Sequence, residues 1–108
     1  MSYREINNGV FPTMITPYRK DGSIDYDAAR RLTEFYIKSG CHGIFAVCQS
    51  SEMMFLSLDE RVKLAKCVSD AAGGKVSVVA SGHCGNSAEE QIDEINAISE
   101  TGIDAFVF

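Results

Sequence analysis

Three short polar stretches hold most of the residues here that could do chemistry. They are Thr16-Pro17-Tyr18, Cys48-Gln49-Ser50-Ser51-Glu52 and Gly82-His83-Cys84-Gly85-Asn86. Hydroxyls, a side-chain amide and the neighbouring backbone N–H groups are the donors that hold a small anion without needing a positive charge. Cys48, His83 and Cys84 could meet as metal ligands if adjacent strands brought them together. Zinc, however, wants about four ligands, or three and a water, and this set has no familiar spacing. No metal is expected. Plainer roles stand beside these. Ser50 and Ser51 could bond their own backbone as turn residues, and Glu52 could hold its loop by accepting N–H groups. His83 could be satisfied by local hydrogen bonds, or touch a substrate. Met53, Met54 and Phe55 read as packing residues, and Cys41 and Cys67 as small core residues.

Each polar stretch follows a short apolar run, and each run belongs to a repeating unit. Val10 to Ile15 is the first, stopped by Thr16-Pro17. Asp25 then opens a helical pattern with Ala28, Leu32, Phe35 and Tyr36 on one face, ending at Gly40. Gly43 to Val47 is the second run. Ser57-Leu58-Asp59-Glu60 is a capping box, leading a helix that buries Val62, Ala65, Val68 and Ala72 and stops at Gly73-Gly74. Val76 to Ala80 is the third strand. Ser87-Ala88-Glu89-Glu90 is a second capping box, whose helix buries Ile92, Ile95 and Ile98 and ends near Gly102. Ile103 to Phe108 begins a fourth strand. The strands scarcely alternate, as expected of a parallel sheet covered on both faces. A unit of about 30 residues fits parallel strands joined by helical crossovers. A (β/α) barrel and an open doubly wound sheet both satisfy this pattern, and in both the ligand sits at the C-terminal ends of the strands.

Bulk properties narrow the partners. With 108 residues, 45% of them hydrophobic and 23% charged, the chain is one globular domain in size and composition. Its formal charge of −5 argues against a nucleic-acid surface, which needs Lys and Arg to neutralise phosphates. No apolar run approaches the roughly 20 residues of a membrane span. The first residues lack the basic-then-apolar pattern of a secretion signal. The four cysteines include no C-x-x-C pair, so we read them as reduced thiols of a cytoplasmic protein. Ala105-Phe106-Val107-Phe108 ends on an apolar strand, which suggests part of a longer polypeptide or a piece that assembles with something else.

The run Gly9-Val10-Phe11-Pro12-Thr13-Met14-Ile15-Thr16-Pro17-Tyr18 resembles the first strand of the dihydrodipicolinate synthase and N-acetylneuraminate lyase family. Asp21-Gly22-Ser23-Ile24-Asp25-Tyr26 is similar to that family's approach to its first helix. Leu56-Ser57-Leu58-Asp59-Glu60-Arg61 resembles its second helix start, and the third strand with its Gly82 to Ser87 loop fits as well. The likeness runs in order along the whole chain. It implies that residues 1–108 are the first four β/α units of a single (β/α)8 barrel, the N-terminal half of the ring.

The resemblance also implies a chemistry. Members of this family join a lysine to pyruvate or a related 2-oxo acid as a Schiff base, then make or break a carbon–carbon bond. No cofactor is involved, and members commonly form homotetramers. Their second-strand loop, Gly-x-x-Gly-Glu, cradles the 2-oxo acid carboxylate, and one hydroxyl in it relays protons. Carried onto this chain, Gln49 falls at the relay position and Ser50 at the carboxylate-binding hydroxyl. Ser51 supplies a neighbouring N–H, Glu52 matches the motif's acid, and Thr16 joins Ser50 and Ser51 as a substrate contact. Cys48 and Ser51 stand where the family has glycine, which questions the loop's shape. Gln49 hydrogen-bonds but cannot pass a proton as a hydroxyl does. A binder of small carboxylates that has lost its relay is therefore an alternative. An unrelated doubly wound phosphate-binding domain is a weaker one, since no G-x-G-x-x-G fingerprint is visible. By the same resemblance the Schiff-base lysine and a relay tyrosine would follow Phe108, and none of Lys20, Lys38, Lys63, Lys66 and Lys75 ends a strand in the right place. The 108 residues alone are expected to be inactive.

Overall fold

The computed structural model describes residues 5–108. Its elements are α1 (Tyr26–Lys38), β1 (Gly43–Phe45), α2 (Leu58–Ala72), β2 (Ser77–Ala80), α3 (Ala88–Ser99) and β3 (Ala105–Phe106). Two single 3-10 turns, Gln49–Ser51 and Met53–Phe55, separate β1 from α2. The strands are parallel and lie in the order β1-β2-β3.

The expected strand over Val10 to Ile15 runs beside β1 but pairs through one parallel bridge, Thr13 to Phe45. Phe45 N–H donates to Pro12 O at 3.0 Å and Met14 N–H to Phe45 O at 2.9 Å. Pro12 has no N–H to give, and the Val10 N–H goes to His42 Nδ1 at 2.9 Å. The ladder is therefore too sparse for a regular strand. Close approach here depends on Gly43, where a Cβ would land on the Phe11 ring. The other strands are shorter than the apolar runs, yet pairing continues past them. Ser81 N–H donates to Val47 O at 2.7 Å and Val107 N–H to Ala80 O at 2.8 Å.

Spatial order thus follows chain order from residues 10–14 through β3. Successive helices pack on each other, α1 on α2 and α2 on α3. They share one core, in which Ala29, Leu64, Val68 and Ile98 meet Ile44, Val78 and Ala80. A doubly wound sheet would reverse its strand order and carry helices on both faces. Neither feature is present among the described residues. The arrangement is an arc of a (β/α) barrel, with helices outside and Thr13, Phe45, Val79 and Ala105 in register on the opposite, inner face.

Local chemistry explains the helix ends. Asp25 accepts from Ala28 N–H at 3.0 Å, and Ser57 and Glu60 close a full capping box. The second expected box closes on one side only. Ser87 accepts from Glu90 N–H, but the Glu90 carboxylate reaches Asn86 N–H at 2.9 Å instead of Ser87.

Three buried faces differ from the expected ones. Helix α1 is rotated by about one position, burying Ala29 and Thr33 and exposing Phe35. Thr33 tolerates burial because its hydroxyl donates to Ala29 O at 2.9 Å. In α2, Arg61 and Leu64 join Ala65, Val68 and Ala72 in the interior, and Val62 is only partly covered. In α3, Ile98 is buried, Ile95 is half-buried and Ile92 is exposed, and Glu94 takes the interior position one turn before Ile98. Met53 packs inside as expected, whereas Met54 and Phe55 lie on the surface.

Candidate active site

A cavity of about 400 Å³ opens at the C-terminal ends of the strands. Its walls come from each successive β/α unit. Thr13 and Phe45 line its floor, with Gln49, Ser50 and Cys48 from the loop after β1. Ser81 and His83 follow β2, and Val107 and Phe108 follow β3. A second cavity of about 390 Å³ lies at the opposite ends, among Ser69, Val76, Gly102 and Asp104. In barrels of this kind that end serves stability and the first end holds the chemistry.

The loop after β1 is fixed from below by Ser51, which is fully buried. Its hydroxyl lies 2.5 Å from Met14 O and 3.0 Å from Ala46 O, and accepts from Cys48 N–H at 3.2 Å. Thr16, also buried, donates its hydroxyl to Ser51 O at 2.6 Å. Together they tie the end of residues 10–16 to the end of β1. The Ser51 N–H is donated to Cys48 O at 3.1 Å. Of the four residues assigned to substrate from the sequence, Gln49 and Ser50 line the cavity, while Thr16 and Ser51 brace the loop beneath it.

Glu52 turns the chain with φ 62°, the one non-glycine residue with positive φ among the described residues. It receives the Tyr18 hydroxyl, and among the described residues no backbone N–H reaches its carboxylate as expected of it. Burial, that hydrogen bond and the nearby charges of Glu52 and Glu60 push the Tyr18 phenol up to about 12.

The loop after β2 is clamped by a buried ion pair that the sequence reading missed. Arg61 Nη1 lies 2.5 Å from Glu94 Oε2, and their side chains are 7% and 9% exposed. Arg61 also donates to the carbonyls of Gly82, Leu56 and Ser57. Glu94 accepts from Gly85 N–H at 2.5 Å and Cys84 N–H at 3.2 Å. Gly85 must be glycine for this approach, since a Cβ would sit 2.6 Å from Glu94 Oε1. Burial works against the Glu94 carboxylate, but the bonds from Arg61, Gly85 and Cys84 outweigh it and hold its carboxyl below the usual range. A signal was available. Arg61 and Glu94 each stand four residues before a buried apolar residue, Ala65 and Ile98, so opposite charges occupy the apolar stripes of successive helices.

Between these anchors His83 faces the cavity. Its Nδ1 is 3.3 Å from Ser81 Oγ, and its ring meets Phe106 and Phe108 at centroid distances of 5.4 and 5.9 Å. Cys84 turns its thiol towards Met53 O at 3.7 Å, and burial pushes that thiol up, so it stays protonated. Among the described residues, no three His, Cys, Asp or Glu side chains converge as metal ligands, and no helix is long and apolar enough to cross a membrane.

Comparison with known proteins gives this geometry a lineage. The model of the dihydrodipicolinate synthetase family matches residues 7–108. The chain is 35% identical over 99 residues to the 4-hydroxy-tetrahydrodipicolinate synthase of Pseudoalteromonas atlantica, covering 92% of this chain and 33% of that protein. It is 34% identical to a DapA-like lyase of Thermofilum pendens, with the same coverage. Among solved structures, a dihydrodipicolinate synthase from Acinetobacter baumannii complexed with pyruvate superposes with a TM-score of 0.82 at 29% identity, covering 91% of this chain and 33% of that one. N-acetylneuraminate lyase from Mycoplasma synoviae gives 0.81 at 27% identity, covering 91% and 34%. The chain spans about a third of the length of the relatives it matches. Its strand order, its outer helices and the cavity at the strand ends are those of the N-terminal half of a (β/α)8 barrel, and the chain belongs to the dihydrodipicolinate synthetase family.

Proposed function

We propose that this chain is the carboxylate-binding part of a lyase or synthase that acts on pyruvate or a related 2-oxo acid through a lysine Schiff base. The observation that carries the reading is Ser50. It is exposed to the cavity at the strand ends, and its hydroxyl has no hydrogen-bond partner among the described residues. The neighbouring Ser51 is by contrast fully spent on structure. A hydroxyl on a braced turn receives a carboxylate with little reorganisation, and short hydrogen bonds to an anion are stronger than neutral ones. With the Ser51 N–H already given to Cys48 O, the backbone donors suited to the same carboxylate are those of Gln49 and Ser50. The pyruvate bound to the A. baumannii relative supports the choice of ligand.

The reacting lysine is not among the cavity residues described, so the chemistry belongs to the complete polypeptide. Reduction with borohydride in the presence of pyruvate should trap a covalent adduct on one lysine. A second reading, a binder without catalysis, rests on Gln49, whose amide lines the cavity where a proton-passing hydroxyl would be needed. Saturable pyruvate binding with no trapped adduct would select that reading. Absence of both would sink the first and the second together.

A further inference from the structure

We propose that His83 is a substrate-binding residue, which hydrogen-bonds an oxygen carried beyond the carbonyl of an extended 2-oxo acid. This rests on the reading that Ser50 holds the carboxylate. The cavity has two polar walls, Gln49 and Ser50 after β1, and Ser81 and His83 after β2. Between them the lining is mostly apolar, from Phe45, Met53, Val107 and Phe108. A ligand whose carboxylate lies on the first wall meets the second only if it carries another polar group.

The second wall is also built with unusual rigidity. Gly82 O on one side of His83 is held by Arg61, and the N–H groups of Cys84 and Gly85 on the other are held by Glu94. Buried ion pairs are weak evidence for stability, because an apolar pair of similar volume often does as well. Here the Arg61 Nη1 and both Glu94 carboxylate oxygens bond the residues flanking His83. Phe106 and Phe108 then limit the ring's rotation, and Ser81 Oγ engages Nδ1. That leaves Nε2 as the nitrogen a ligand can use. Cys48 is the other titratable group lining the cavity, and its thiol lies 3.3 Å from Ser51 Oγ. His83 is therefore the cavity's one ring that donates and accepts.

The test compares pyruvate with 4-hydroxy-2-oxobutanoate, which adds a hydroxymethyl group and so places a hydroxyl two carbons beyond the carbonyl. Binding to the complete polypeptide is measured by calorimetry. The hydroxy acid should bind about tenfold more tightly, the equivalent of one good hydrogen bond. His83→Ala should abolish that preference and leave pyruvate affinity within about twofold. His83→Gln, which places an amide near the Nε2 position, should restore part of the preference. Equal loss of affinity for both ligands in His83→Ala, or an unchanged preference, overturns the proposal. If Ser50→Ala leaves pyruvate binding intact, the carboxylate reading fails instead, and does so whatever His83 shows.

Discussion

Removing the Glu94 carboxylate should be among the most damaging single changes available in this chain. The side chain is almost wholly enclosed and accepts three hydrogen bonds, from Arg61, Cys84 and Gly85. In Glu94→Ala, Arg61 keeps its carbonyl partners at Leu56, Ser57 and Gly82 but becomes a buried cation without a counter-charge. Breaking one half of such a pair costs about 3–5 kcal/mol, against a typical total of about 5–15 kcal/mol. Urea unfolding should register most of that loss, with Tm falling by roughly 10 °C or more. Replacing both partners, as Arg61→Met with Glu94→Leu, should recover much of it. The pH dependence has a definite sign. Glu94 has its carboxyl lowered in the folded state, so its contribution is complete above the unfolded carboxylate value of about 4.3. It disappears as pH falls through the lower folded value. Glu94→Gln should flatten this acid limb. A Glu94→Ala protein within about 1 kcal/mol of the parent would refute the reasoning, because the clamp would then carry no weight.

Two neighbouring serines should behave oppositely. Ser51→Ala strips partners from Met14 O, Ala46 O and Cys48 N–H in a buried site and should cost about 1–3 kcal/mol in urea unfolding. Ser50→Ala should change stability by less than about 0.5 kcal/mol and weaken pyruvate binding by about tenfold in calorimetry. Tyr18 should ionise at about pH 12 in an alkaline ultraviolet titration. Glu52→Gln should bring that transition down, since it removes a charge that opposes the phenolate.

What the sequence discloses follows from which forces act locally. The caps at Asp25, Ser57 and Ser87 are read from neighbouring residues and are present in the structure. The parallel strands were legible because burial on both faces makes their apolar runs continuous. Barrel and open sheet, by contrast, differ only in long-range order, which no local pattern encodes; the family resemblance supplied it. The misplaced faces have specific causes that propensity does not see. Thr33 hides because its hydroxyl bonds back to Ala29 O, and the face is then one position away from Phe35. Glu94 displaces Ile92 from the interior because its partner arrives from another helix, 33 residues away in the chain. At the site, the loops were found but their division of labour was not. Ser50 and Ser51 look equivalent in sequence, and only the fold turns one to the cavity and the other to the carbonyls beneath it.

That division answers the question raised by the two missing glycines. Glycine is indispensable only where φ is positive or where a Cβ would collide. Cys48 adopts φ −153°, ordinary extended backbone, and Ser51 lies in a right-handed 3-10 turn. Neither position requires glycine for its backbone. The left-handed residue of this loop is Glu52, at φ 62°. The side chains added at Cys48 and Ser51 also find room inward, where the thiol and hydroxyl lie 3.3 Å apart. Replacing the two glycines therefore need not reshape the rim of the cavity. What they add is a polar plug under it, and the exposed hydroxyl of Ser50 stands on a loop more firmly pinned than glycine alone would leave it. On the proposed reading, the departure that bears on chemistry is Gln49, whose amide lines the cavity where the family resemblance implies a proton-passing hydroxyl.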